Sequence, residues 1–126
     1  MIEKRKHILV VEDETELAEL VRERLEHNNY RISVAENGEK AIDMIGRETF
    51  DLIILDIILP VVDGYEVCRR IKLHPTHAGV PVLMFTAKGE EASQDKAFAA
   101  GADAYIVKPY EADILLYKIK HLLEDK

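Results

Sequence analysis

Apolar positions along the chain fall into two alternating patterns. Short continuous runs, HILVV at 7–11, RISVA at 31–35, DLIIL at 51–55, VPVLMF at 80–85 and AYIV at 104–107, are rich in Val and Ile and bounded by polar, Gly or Pro residues. That is the pattern of strands. Between them apolar residues recur at helical spacing: Leu17, Leu20, Val21 and Leu25 in 14–27; Ala41, Ile42 and Ile45 in 38–48; Val67, Cys68 and Ile71 in 64–73; and Leu115, Ile119 and Leu122 in the last helix. The helical pattern of 90–100 is the weakest, its apolar residues being mostly alanines. Punctuation agrees with this reading. Asn37 precedes the second helix, Asp63 with Glu66 three residues later makes a capping-box-like start to the third, and Gly101 can end the fourth.

Five strands alternating with five helices require parallel pairing through right-handed crossovers. The expected fold is a three-layer, doubly wound α/β domain with helices on both faces of a five-stranded parallel sheet. Strands buried on both faces explain why LIIL and PVLMF are continuous apolar runs. At 126 residues and 48% hydrophobic composition, a single domain spanning 1–126 is expected. Its 17 basic and 24 acidic residues leave a charge of -7, which repels a phosphate backbone and argues against direct nucleic-acid binding. Lone Cys68 cannot form an internal disulfide, which agrees with a reducing cytosol. The N-terminal apolar run stops at Glu12, short of a signal-peptide core of roughly 7 to 15 residues. With no run of membrane length either, the expected location is cytoplasmic, off the membrane.

In such a sheet ligands bind outside the carboxyl ends of the strands. Glu12 and Asp13 follow the first strand, Asp56 the third, Thr86 the fourth and Lys108 the fifth, whereas the second is followed only by the turn ENG. Singly these residues have plain readings: Asp13 as a helix cap with Glu16 completing the box, Thr86 as a strand residue, Lys108 as a solvated lysine. Four strand ends agreeing make a constellation. Clustered carboxylates raise one another's pKa unless a cation sits among them. An oxygen-only donor set with room for waters and a phosphate suits Mg²⁺ better than an all-protein Ca²⁺ cage. A carboxylate beside that ion can attack phosphorus, with Mg²⁺ and Lys108 neutralising the phosphoryl oxygens and Thr86 donating a hydrogen bond.

ILVVEDE, DLIILDIILPVVDG, PVLMFTA and GADAYIVKPY together resemble the receiver domain of two-component response regulators, from about His7 to Leu123. The resemblance implies a flavodoxin-like (βα)5 domain with strand order 2-1-3-4-5. It makes Asp56 the phospho-acceptor, places Mg²⁺ on Asp13 and Asp56 with Glu12 acting mainly through water, and adds the backbone carbonyl of Ile58. Thr86 and Lys108 are implied to contact the phosphoryl group, Lys108 to Pro109 to be a cis peptide, and Thr86 with Tyr105 to form the switch. The implied phosphodonor is a sensor histidine kinase or phosphotransfer protein. The chain is then a signalling receiver, its chemistry limited to self-phosphorylation from a phosphodonor and autodephosphorylation. Ile58, two residues after the acceptor, is apolar and cannot orient an attacking water, so a longer-lived phosphoryl group is expected.

Tyr110, Ile114, Tyr117 and His121 recur on the face of the last helix opposite its core stripe and are expected to adjoin the fourth helix and Tyr105. This is the expected surface for a homodimer or an output domain. Within these 126 residues no output domain is expected after the fifth helix, which leaves open a free-standing regulator and a fragment of a longer one. Three rivals are weaker. A haloacid-dehalogenase-type phosphatase needs a second acid where Ile58 stands. A flavodoxin-like cofactor binder wants a Ser/Thr/Gly-rich loop where EDETE stands. An inert receiver-like module has no use for the intact acid, Thr and Lys set. His74 and His77 lack a nearby carboxylate or Cys and are a poor metal pair.

Overall fold

The computed structural model describes residues 4–86, 91–108 and 111–124, with Thr86 and residues 91–93 described by backbone alone. Each central strand divides its side chains between two cores. In β1 (His7–Val11), Leu9 and Val11 enter one core, Ile8 and Val10 the other. β3 (Leu52–Asp56) splits into Ile53 and Leu55 against Leu52 and Ile54, and β4 (Val82–Thr86) into Val82 and Met84 against Leu83 and Phe85. With β2 (Arg31–Ala35) and β5 (Ala104–Val107) they form one parallel sheet in the order β2-β1-β3-β4-β5. α2 (Gly38–Ile45), α3 (Gly64–Leu73) and α4 (Glu91–Ala99) cover the first core; α1 (Thr15–His27) and α5 (Ala112–Glu124) cover the second. The expected three-layer fold and strand order are both present.

Boundary differences have local causes. β4 starts after Pro81, which has no N–H to give the ladder, although Pro81 still accepts a bond from Ile53 N–H. β3 begins and ends one residue later than its apolar run suggests, because the pairing of Asp56 with Phe85 continues the ladder to the carboxylate. Asp56 and Thr86 are therefore the last residues of their strands, which fixes their backbones. α2 ends at Ile45 rather than 48, with Gly46 at its C-cap.

Leu20, expected on the core stripe of α1, is 48% exposed, whereas Ala18, Val21 and Leu25 are buried. Positions 18, 21 and 25 follow the i, i+3, i+7 rule, and Leu20 lies about 100° away from Val21 round the axis. Asn37 caps α2 by accepting Lys40 N–H at 2.8 Å, and Asp63 caps α3 by accepting Glu66 N–H at 3.0 Å. Glu66 does not complete the box. Its carboxylate accepts from Arg69 and Arg70 instead. Among the described residues, no helix is long and apolar enough to cross a membrane.

At the amino ends of the strands, His7, Phe50 and His77 form a buried aromatic row, with ring centroids 4.6 and 5.9 Å apart in sequence. His7 sits between Ser33 Oγ at 2.7 Å and the Thr49 carbonyl at 3.2 Å, while His77 Nε2 accepts Phe50 N–H at 3.3 Å. Burial lowers both pKa values; Arg31 adds to the effect at His7, against Glu48 and Asp51, and His74 adds to it at His77. A histidine whose folded pKa lies below its unfolded value binds its proton more readily in the unfolded chain. Its contribution is complete above about pH 6.5 and is lost as pH falls through the folded value, at no more than about 1.4 kcal/mol per pH unit for each group. In urea unfolding the two histidines are expected to contribute a loss of stability as pH falls from 7.5 to 5.5. His77→Gln, which keeps an acceptor for Phe50 N–H but cannot titrate, should flatten that fall; an unchanged slope would remove His77 from the effect.

Candidate functional site

The parallel register carries Glu12 and Asp13 (after β1), Asp56 (β3), Thr86 (β4) and Lys108 (after β5) to one edge of the sheet. Glu12 N–H donates to the Ala35 carbonyl at 3.0 Å, which extends the ladder past Val11 and points the chain into the site. α1 is capped at Glu14, without a side-chain cap bond, so Asp13 is not the helix cap. It remains exposed at the edge. One carboxylate oxygen from each of Glu12, Asp13 and Asp56 lies within 4.8 Å of the others, close enough to share one cation.

Lys108 reaches over this cluster. Its Nζ is 2.7 Å from Asp56 Oδ2 and 3.3 Å from Glu12 Oε1. The other Asp56 oxygen, Oδ1, accepts the backbone N–H of Ile58 at 3.0 Å. Asp56 is thus oriented from two sides by groups on different elements. Burial and the neighbouring Asp56 charge push the Glu12 carboxyl up to about 7, with Lys108 pulling the other way. Burial alone would lower Lys108, but the hydrogen bond and charge of Asp56, joined by Glu12, outweigh it and raise its pKa. One ammonium therefore does not fully compensate three carboxylates. The cluster retains negative charge and all-oxygen donors, which fit a hard divalent cation.

The side chain of Thr86 lies outside the described residues, as do Pro109, with the expected cis peptide, and Tyr110. Tyr105 is partly buried against the α2, α3 and α4 core, with its ring edge-on to Phe98 at 6.2 Å. On α5, Leu115 and Ile119 are fully buried, as expected, while Ile114 and Tyr117 are exposed and Tyr117 stacks on His121 at 6.1 Å. Phe98, 49% exposed on α4 and edge-on to Tyr105, was not legible in its alanine-rich surroundings. His77 Nε2 and His74 Nδ1 accept backbone N–H groups of Phe50 and Thr76, which agrees with reading the pair as structural. Cys68 is buried, and burial raises its thiol to about 11, so it is unreactive packing.

Two glycines escaped the sequence reading as contributors to the site. A Cβ at Gly64 would lie 2.2 Å from the Asp56 carbonyl oxygen, and one at Gly38 would lie 2.6 Å from that of Val62. Both stand at helix starts already capped by Asn37 and Asp63. Glycine in a helix that needs no help at its cap was the available signal.

A parallel sheet of this order with an acidic cluster and a lysine at its carboxyl edge defines a doubly wound α/β domain with a site suited to a hard divalent cation. Residues 8–120 match the family model of the response regulator receiver domain, and the chain belongs to that family. It is 46% identical over 116 residues to the transcriptional regulatory protein ResD of Bacillus subtilis, covering 92% of this chain and 47% of that one. It is 39% identical to the phosphate regulon transcriptional regulatory protein PhoB of Rhizobium meliloti, covering 92% and 51%. The chain spans about half the length of these curated relatives. Among solved structures, a response regulator of Chloroflexus aurantiacus superposes with a TM-score of 0.92 at 36% identity, covering 96% of this chain and 99% of that one. The receiver domain of the sensor histidine kinase PA1611 of Pseudomonas aeruginosa, with a magnesium ion coordinated in its active-site cleft, superposes with a TM-score of 0.90 at 26% identity, covering 96% and 99%.

Proposed function

We propose that Asp56 accepts a phosphoryl group from a histidine of a sensor kinase or phosphotransfer protein, with Mg²⁺ held by Asp13, Asp56, the Ile58 carbonyl and, mainly through water, Glu12. The observation that carries this reading is the Asp56 carboxylate at the end of β3, clustered with Glu12 and Asp13 and held by Lys108 Nζ at 2.7 Å. One Asp56 oxygen forms a bond to phosphorus as the phosphorus–nitrogen bond of the donor breaks, and the imidazole leaves with a proton. Bound Mg²⁺ would neutralise charge on the transferring phosphoryl oxygens. Lys108 exchanges its bond to Asp56 for one to a phosphoryl oxygen, the Thr86 hydroxyl donates to another, and the Ile58 N–H keeps the acceptor oriented.

Thr86, drawn toward the phosphoryl group, would then release space for Tyr105 and shift the face of α4, β5 and α5. That face, carrying Tyr110, Ile114, Tyr117 and His121, is the surface for a second copy or an output domain, within a domain spanning 1–126 that works in the cytoplasm. The domain neither binds nucleic acid directly nor catalyses beyond its own phosphorylation and dephosphorylation.

Intact-mass measurement after incubation with Mg²⁺ and acetyl phosphate is expected to show one added phosphoryl group, absent in Asp56→Ala and in excess chelator. No addition to the wild type would favour an inert module. Ile58 is 66% exposed beside the acceptor and has no group to orient an attacking water. Ile58→Asn is therefore expected to hydrolyse the aspartyl phosphate several-fold faster, by up to about tenfold; equal decay rates by mass spectrometry would refute the slow-hydrolysis reading.

A further inference from the structure

Gly38 opens α2 directly after its cap and is buried. Nothing in helix formation calls for glycine there, since Asn37 already supplies the cap and glycine costs about 1 kcal/mol relative to alanine inside a helix. Its surroundings do call for it. A Cβ at 38 would lie 2.8 Å from Val67 Cγ2 and 2.6 Å from the Val62 carbonyl oxygen. Val67 is fully buried, but its Cγ2 is the end of a side chain, whereas the carbonyl moves only if the β3–α3 loop moves.

That loop has little slack. Val62 N–H closes a tight turn onto the Pro60 carbonyl at 2.7 Å, and Gly64 N–H bonds the Ile57 carbonyl at 2.8 Å. Val61, 90% exposed, is held at φ 66°, a left-handed conformation strained for a β-branched residue. Asp63 is committed to the cap of α3. The same short segment contains Ile58, whose N–H orients Asp56 Oδ1 at 3.0 Å. A push on Val62 is transmitted along a tightly turned chain to Ile58.

We propose that Gly38 is a positioning residue for the phospho-acceptor site: by letting the first turn of α2 seat against the Val62 carbonyl, it sets where the β3–α3 loop holds Ile58 and hence Asp56. This rests on the reading of Asp56, Asp13 and Ile58 as cation and phosphoryl groups given above. Gly38 touches none of the reacting atoms; it acts through the loop.

The test uses Mg²⁺ alone on the unphosphorylated protein, followed through the amide NMR shifts of Asp13, Asp56 and Ile58, with urea unfolding in parallel. Gly38→Ala is expected to shift the Ile58 amide before any Mg²⁺ is added and to weaken Mg²⁺ binding by about tenfold. Two controls separate position from stability. Gly46→Ala changes the other end of the same helix, where the nearest atom to a new Cβ is 3.4 Å away, and Val67→Ala loosens the core without touching the Val62 carbonyl. Both are expected to keep wild-type affinity. If Gly38→Ala alone does not fold, the Gly38→Ala, Val67→Ala double variant removes the side-chain neighbour and leaves the carbonyl clash to be read. Wild-type affinity with an unmoved Ile58 amide in either variant overturns the proposal, whatever the loss of stability. A wild-type protein that neither binds Mg²⁺ nor accepts phosphoryl removes the underlying reading as well.

Discussion

Lys108→Met is expected to lower stability at pH 7 by about 2 kcal/mol in the absence of Mg²⁺ and to slow phosphorylation by acetyl phosphate about a hundredfold. Methionine keeps the apolar stem and deletes only the ammonium, which lies 2.7 Å from Asp56 and 3.3 Å from Glu12. Those two carboxylates are 7% and 4% exposed, so water cannot take over the counter-charge. Removing one partner of a fully buried ion pair costs about 3 to 5 kcal/mol. The expected loss falls below that range because the Lys108 side chain is 20% exposed and a carboxyl group can neutralise by taking up a proton. Urea unfolding with and without millimolar Mg²⁺ provides the check. A divalent cation on the cluster should recover part of the loss, whereas an equal loss in both conditions would count against Glu12, Asp13 and Asp56 as a cation site. The kinetic effect comes from removing a cation preorganised where phosphoryl charge gathers, and intact mass against time measures it.

Gly64→Ala is expected to destabilise the fold by about 3 kcal/mol, at the upper end for an overpacking substitution. Its Cβ would stand 2.2 Å from the Asp56 carbonyl oxygen and 2.7 Å from Ile57 Cα. Neither atom is the end of a flexible side chain. Asp56 is locked in register with Phe85, and Ile57 N–H donates to the Phe85 carbonyl at 3.0 Å, so the strand end resists displacement. The start of α3 is held as well, by Asp63 and by Gly64 N–H on the Ile57 carbonyl. Denaturant unfolding measures the cost, and the amide shifts of Asp56 and Ile58 report which side yields. A loss below about 1 kcal/mol with an unmoved Asp56 would mean that α3 shifts and the acceptor strand does not.

Residues whose job follows from chain-local patterns are legible in the sequence. Continuous apolar runs in β1, β3 and β4 mark strands covered on both faces, and the polar residue where each run stops marks the functional edge. Asn37 and Asp63 read correctly as caps because capping depends on neighbours three residues away. Leu20 misled for the same local reason: Leu17, Leu20, Val21 and Leu25 span a wide arc, and only the packed sheet selects the part of it that includes Ala18. Asp13 was ambiguous between cap and ligand until Glu14 took the cap position. His77 read as a loop residue with no partner, yet it is buried and bonded to Phe50, 27 residues away.

By itself the sequence determined the number and kind of elements, their parallel layering and the five residues delivered to one edge. Backbone periodicity and obligatory crossovers are properties of the chain in order. The tertiary structure decided what those residues are to one another: that Lys108 bridges Glu12 and Asp56 from 96 and 52 residues away, that burial and the neighbouring charge lift the Glu12 carboxyl to about 7, and that a hydrogen atom at Gly38 makes room for the loop holding Asp56. Distances, burial and close approaches between elements depend on sheet register and helix packing, which no window along the chain contains.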